Sequence, residues 1–190
     1  MGSYSFVFGK NVQATGSYSL AFGTSSIASG AYSFAFGKNT QAAGDYSFAF
    51  GAGEGNLSAE ATGYCSFAFG KNARATGGYS LAVGYQSAAS DNWSVAIGYD
   101  IQAQSSYSTA LGYNLKTLNS GEVALGANNS SIKKDENQAG TAFTIGKGFN
   151  SKVNAANLFQ IDTDGTVYIV NPKTYNLINV QDLLKDLLPS

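Results

Sequence analysis

Ser33-Phe34-Ala35-Phe36-Gly37 is followed fourteen residues later by Ser47-Phe48-Ala49-Phe50-Gly51. The pattern also reads Ser5-Phe6-Val7-Phe8-Gly9, Ser19-Leu20-Ala21-Phe22-Gly23 and Ser66-Phe67-Ala68-Phe69-Gly70. It continues as Ser80-Leu81-Ala82-Val83-Gly84, Ser94-Val95-Ala96-Ile97-Gly98 and Ser108-Thr109-Ala110-Leu111-Gly112. Two degenerate copies, Glu122-Val123-Ala124-Leu125-Gly126 and Ala142-Phe143-Thr144-Ile145-Gly146, close the series. The closing glycines stand at 9, 23, 37, 51, 70, 84, 98, 112, 126 and 146. Seven of the nine steps are fourteen residues; the others, 19 and 20, predict insertions near 52–56 and within 127–138. The intervening stretch repeats as well: Asn11-Val12-Gln13-Ala14-Thr15-Gly16 matches Asn39-Thr40-Gln41-Ala42-Ala43-Gly44 and Asn72-Ala73-Arg74-Ala75-Thr76-Gly77.

Fourteen residues cannot hold the two helices of a helical repeat, which needs roughly 30 or more. Each copy carries glycine, serine and aromatics, which favour turns and strands. The expectation is therefore an all-β solenoid of about ten coils, with two short strands and two tight turns per coil. Stacked coils advance by ~4.8 Å each.

Strand side chains alternate between faces. In Tyr18-Ser19-Leu20-Ala21-Phe22-Gly23 one face takes Tyr, Leu and Phe, and the other takes Ser, Ala and Gly. A coil this short is flat, so the small residues are expected inside, with Ala14, Ala28, Ala42, Ala61, Ala75, Ala89 and Ala103 facing them from the other half-coil. The large residues then form one outward apolar face, longer than soluble monomers normally expose. That face is expected to be covered by further copies of the chain. The alternative is a monomer with a wider lumen filled by the aromatics.

Composition narrows the functional classes. The chain has 190 residues, 44% of them hydrophobic and only 12% charged. It has no histidine, which excludes an imidazole base or metal ligand. A net charge of −1 gives no support to nucleic-acid or anionic-membrane binding. The single Cys65 excludes an intrachain disulfide and a Cys-rich zinc site. No apolar run approaches a membrane span of roughly 18 residues. Residues 1–20 lack the basic and apolar regions of a signal peptide. The expectation is a fragment of a longer protein or a chain that needs no secretion signal.

The Ser-[Phe/Leu/Val]-Ala-[Phe/Val/Ile]-Gly motif at this period resembles the head repeats of YadA-like trimeric autotransporter adhesins. Asp91-Asn92-Trp93-Ser94-Val95-Ala96-Ile97-Gly98-Tyr99 is nearest to that family's repeat. The resemblance covers residues 2–126 well and 139–150 weakly. It implies a left-handed parallel β-roll in which three chains pack around an axis, with the apolar strand face at the interface. The interface residues would then be Phe6, Phe8, Leu20, Phe22, Phe34, Phe36, Phe48, Phe50, Phe67, Phe69, Leu81, Val83, Val95, Ile97 and Leu111, with Leu183 and Leu187 beyond the repeats. Phenylalanine in many copies, where the family uses smaller Val and Ile, implies a thicker interface layer or a shifted trimer.

Residues 1–150 are read as the head repeats and 151–190 as a C-terminal part. Leu158–Asp162 and Val167–Val170 read as a hairpin turning at Asp164-Gly165. Asn179–Leu188 reads as a short amphipathic helix with Val180, Leu183, Leu184 and Leu187 on one face. Asn179–Leu183 loosely resembles the neck that follows adhesin heads. The hairpin ending in Asp-Gly-Thr-Val-Tyr-Ile resembles segments near the ends of phage tail-fibre proteins.

No catalytic constellation stands out. Gly51-Ala52-Gly53-Glu54-Gly55 lacks the Lys-Ser/Thr ending of a phosphate loop. Nothing pairs Glu54, Glu60, Asp91 or Asp100 across a cleft, as glycoside hydrolysis requires. Asp162 and Asp164 flank a turn, which explains them without a cation. No cofactor and no metal are expected. Cys65 stands in a row with Tyr4, Tyr18, Tyr32, Tyr46, Tyr79, Trp93 and Tyr107. That row is read either as interface and stacking residues or as a platform for sugar rings. Lys10, Lys38 and Lys71 are expected on a solvated rim. The insertions offer candidate ligand-facing positions: Glu54 and Asn56, then Lys133, Lys134, Asp135 and Glu136.

The reading is a non-enzymatic, homotrimeric adhesin head on a bacterial surface, outer-membrane attached through parts outside this segment. It would bind host matrix protein or surface glycan by multivalent contact, with no nucleic acid and no membrane contact of its own. The alternatives are a phage tail-fibre or virion-decorating module, a structural spacer, and a monomeric solenoid that binds an ordered surface such as ice or polysaccharide.

Overall fold

The computed structural model describes residues 1–54, 58–129, 131, 133–134, 139–147, 157–170 and 177–185. Ten strands, one per motif copy from Phe6–Lys10 to Thr141–Lys147, stack in parallel as one sheet. Equivalent motif residues lie directly on one another: Phe34 on Phe48, Ala35 on Ala49, Gly37 on Gly51. A second, narrower sheet stacks eight strands of two or three residues, from Gln13–Ala14 to Lys116–Thr117. Among the described residues eight coils therefore have both walls, rather than ten. The strands of the last two motif copies, Val123–Ala127 and Thr141–Lys147, extend the wide sheet only.

The two sheets face each other across a lumen of methyl groups. Ala21, Ala35, Ala49, Ala68, Ala82, Ala96, Ala110 and Ala124 on the wide sheet are 0% exposed, as are Ala28, Ala42, Ala61, Ala75, Ala89 and Ala103 on the narrow one. The facing alanines leave no room for rings between the walls, so the aromatics point outward and a wide aromatic-filled lumen is excluded. A third inward column reads Ser26, Thr40, Ala59, Ala73 and Ser87, then Ile101 and Leu115, all fully buried or nearly so. The two large aliphatics fill the lumen towards its C-terminal end.

Each coil bends twice through left-handed backbone, a conformation costly for L-residues. One bend holds Tyr4, Tyr18, Tyr32, Tyr46, Cys65, Tyr79, Trp93 and Tyr107, with φ between 50° and 60°. The other holds Asn11, Ser25, Asn39, Asn72, Gln86, Asp100, Asn114 and Asn128, with φ between 47° and 57°. Asparagine dominates the second because its short amide tolerates this region. The motif glycine has a stricter reason to be glycine. At Gly37 φ is +135°, and a Cβ would lie 1.8 Å from the carbonyl oxygen of Gly51 in the next coil. Close stacking of the coils, rather than a place in the lumen, selects that residue.

The first insertion falls at 54–58, slightly beyond the expected 52–56. Lys38 lies on Ala52, the Gly53 N–H donates to the Lys38 carbonyl, and then Thr40 pairs with Ala59. In the second, Asn128 still stacks on Asn114, while Val123 pairs with Phe143, twenty residues on.

Beyond the repeats the chain reverses and stays on the same sheet. Asn157–Asp162 pairs antiparallel with Thr141–Lys147, Val167–Val170 with Asn157–Asp162, and Leu177–Asn179 with Val167–Val170. The hairpin turn is at Asp164-Gly165 as expected, with Gly165 at φ +85°. The third strand of this meander, Leu177–Asn179, has no counterpart in the sequence reading. It shortens the expected helix at its start, leaving Val180–Lys185. Leu187 lies outside the described residues.

Candidate functional site

Two outward columns run up the wide sheet. The first is Phe6, Leu20, Phe34, Phe48, Phe67, Leu81, Val95, Thr109, Val123 and Phe143. The second is Phe8, Phe22, Phe36, Phe50, Phe69, Val83, Ile97, Leu111, Leu125 and Ile145. Neighbouring phenylalanines stack at 4.7–4.9 Å between ring centres, with planes within 15°. Stacking hides the ring faces and leaves the outer edges open: Phe8 is 59% exposed and Phe69 42%. Every sequence-predicted interface residue in the coils lies in these columns. Thr109 is their only polar member, and the five N-terminal coils are the bulkier. Leu183 is half-exposed on the short helix.

A second aromatic row runs along the first bend. Rings of Tyr4, Tyr18, Tyr32 and Tyr46 stack at 4.9–5.1 Å, and Tyr79, Trp93 and Tyr107 at 5.0–5.4 Å. The gap at Cys65 is filled by its neighbour: the Tyr64 ring inserts edge-on, 5.7 Å from Tyr46 and 5.5 Å from Tyr79. Electrostatic interaction with the adjacent Cys65 side chain, followed by burial, pushes the Tyr64 phenol above its usual pKa. These tyrosines are turn residues, not members of the strand alternation. Their ring faces are consumed by one another, with interplanar angles of 2–12° inside both stacked runs. Stacking of sugar rings on the interior of the row is therefore closed off; only ring edges and hydroxyls meet solvent.

Charge is sparse, and the lysines of the coils lie on the rim. Lys10, Thr24, Lys38, Ala52 and Lys71 form one column, with all three lysines exposed. Lys71 pairs with Glu54 and lies 5.6 Å from the centre of the Tyr85 ring. That lysine holds the Glu54 carboxyl below its usual pKa. Glu54 is thus tied to the coil beneath, and its N–H donates to Asn72 Oδ1 at 3.0 Å. Lys133 and Lys134 are exposed in the second insertion. Asn56, Asp135 and Glu136 lie outside the described residues.

Sequence reasoning missed a buried carboxylate. Glu122 stands where Ser108 stands one coil earlier and is 0% exposed. Its Oε2 accepts from Leu118 N at 2.8 Å, Asn119 N at 3.0 Å and Ser131 Oγ at 2.9 Å. Its Oε1 is buried without a hydrogen-bond partner. Burial is the largest influence on this carboxyl and raises its pKa despite the donors. Asn119 extends the network, donating to Thr141 O at 2.9 Å and accepting from Lys134 N at 2.7 Å. The replacement of serine by glutamate in the ninth motif copy was its only signal. In the meander, Asn157, Gln160 and Asp162 form a second buried polar chain.

No arrangement for bond-making chemistry is present among the described residues. Groups of three or more His, Cys, Asp or Glu that could hold a metal are absent among them. An opening at the N-terminal end of the lumen is lined by Met1, Val7, Val12, Gln13, Ala14 and Thr15, which offer no acid, base or nucleophile pair. What the molecule offers is surface: an uncovered apolar face, an aromatic edge and two loops.

Residues 14–40, 28–53, 75–100 and 94–114 match the family model for the YadA head domain repeat, taken two copies at a time. No curated protein matches the chain.

Proposed function

We propose that the chain, which carries YadA head domain repeats, is the head of an adhesin and works as a homotrimer attaching a bacterial surface to host matrix protein or glycan. The observation that carries the trimer is the bare pair of apolar columns. A face ten strands long far exceeds the apolar patch of about 300–600 Å² typical of a soluble monomer. Burial of the phenylalanine edges supplies the association energy. Binding is non-enzymatic and multivalent: three identical surfaces on one rod turn weak contacts into useful avidity. The insertions bearing Glu54, Lys133 and Lys134 are the ligand-facing positions, because loops on a rigid scaffold vary without disturbing the stack. In this reading the surface is that of a bacterial outer membrane, with residues 1–150 as the head and 151–190 as the C-terminal part.

Light scattering on a sizing column tests the assembly. The expected mass is that of three chains; a single-chain mass refutes the reading. Binding to immobilised matrix proteins and glycans tests the loops. Restoring the plain fourteen-residue period at both insertions should abolish binding and leave the mass unchanged. Binding that survives both replacements moves the ligand site to the coils.

A further inference from the structure

The apolar columns do not end with the repeats. Phe143 pairs with Ile161, and Ile161 with Val167; Ile145 pairs with Phe159, Phe159 with Ile169, and Ile169 with Ile178. Directly opposed residues share a face, so both columns cross from parallel into antiparallel strands without a polar break. The meander is also dressed in the opposite sense to an ordinary solenoid cap, whose outer face is polar. Its polar residues Asn157, Gln160 and Asp162 are buried, while Ile169, in the second column, is 37% exposed; Leu177 pairs with Val170 and lies on the opposite face. The following helix buries none of its residues and leaves Leu183 and Leu184 bare.

The coils by themselves pose a problem of register. Ser-Phe-Ala-Phe-Gly occurs identically at 33–37, 47–51 and 66–70. Across those three coils a partner displaced by one coil, ~4.8 Å, meets the same rings at the same places. Such a face specifies that chains associate but hardly at what offset. The meander is different from every coil: its strands alternate in direction, and Phe143 meets Phe159 edge-on at 71° instead of stacking.

We propose that the outer face of the meander, made by Phe159, Ile161, Val167, Ile169 and Ile178, is a docking surface for the same residues of the other two chains, and that it sets the register of the homotrimer. The proposal rests on the trimeric reading above. The argument is continuity: the same columns that form the coil interface run through the meander, and only zero offset brings three meanders together. Any slip leaves one meander uncovered and sets another against a coil it does not match.

The test uses the full chain with Thr24→Cys carrying a nitroxide in a Cys65→Ser background. Light scattering gives the mass, and double electron–electron resonance gives the interchain distances. The parent should be a three-chain species with one narrow distance. Ile169→Asp should keep the coils associated but broaden the distances and add populations displaced along the rod. Ile169→Ser, which spares the fold an added charge, should do the same more weakly. Phe36→Asp, in a coil, should weaken association without adding displaced populations. A three-chain Ile169→Asp and Ile169→Ser with the parent's single distance overturns the register proposal while leaving the trimer standing. A single-chain mass for the parent overturns the trimer itself.

Discussion

Replacing Gly37 with alanine places a methyl carbon 1.8 Å from the carbonyl oxygen of Gly51, at a φ of +135°. Two effects add. Backbone of this kind costs a residue with a Cβ about 1–3 kcal/mol. The clash then forces neighbouring coils apart, which also disturbs the 2.7 Å bond from Ser26 Oγ to the Gly37 carbonyl, worth about 1 kcal/mol. The sum is about 3–5 kcal/mol once some separation of the coils is included, in the upper range for single substitutions. Gly121 provides the control. Its φ is +72°, and a Cβ there meets nothing within 4 Å. Gly121→Ala should lose only the left-handed penalty, about 1–2 kcal/mol. Urea denaturation of both variants, compared through midpoints at equal slope, measures the difference. If the two alanines destabilise equally, coil-to-coil contact is not what selects glycine in the motif.

Tyr32→Ala removes stacks on both Tyr18 and Tyr46 and should destabilise by about 1–3 kcal/mol by the same assay; no change would mean the row is only surface decoration. Gln86 is exposed at φ +51°, so Gln86→Gly should stabilise by about 0.5–1 kcal/mol, the left-handed penalty relieved less the entropy of glycine. The Glu122 carboxyl is raised above its unfolded value by burial. A raised group binds its proton more tightly when folded, so its contribution is fully present below the unfolded pKa and lost as pH rises through the folded one. Glu122→Gln should remove that component from the pH dependence of unfolding; an unaltered pH profile would show that Glu122 titrates alike folded and unfolded.

The period was legible because it is written in glycine spacing. Gly9 to Gly126 mark one strand per coil, and both columns of the face follow from alternation between Ser, Ala and Gly. The bends were harder to read. Alternation through Tyr18 and Ser19 puts the tyrosine on a strand, whereas left-handed φ, which a bulky ring rarely adopts, places it in a turn. Of the two readings of the row, the ring geometry favours self-stacking over a sugar platform. The Tyr64 ring that spans the gap at Cys65 could not be read from register, because it comes from the neighbouring position. Beyond the coils the hairpin was visible from Asp164-Gly165, but its pairing with Thr141–Lys147 was not. A strand's hydrophobic pattern records which faces are buried and is silent on which neighbour pairs with it. Glu122 escaped for a related reason: one glutamate in a serine column looks like decay of the repeat rather than a buried anchor.

The direct stacking of each coil on the next bears on how the chain finds its fold. All-β proteins are usually slow, because their strands must pair across long stretches of chain. Here Phe34 finds Phe48, and Ala28 finds Ala42, fourteen residues away. Even the meander pairs with strands just before it. The longest step between parallel strands, from Val123 to Phe143, is twenty residues, so the loop-closure entropy met at each step stays small. Once one pair of coils has formed, each further coil adds against a finished edge, as in a one-dimensional growth process. The rod can therefore zip along its axis, and lengthening it by a coil adds a step rather than a barrier.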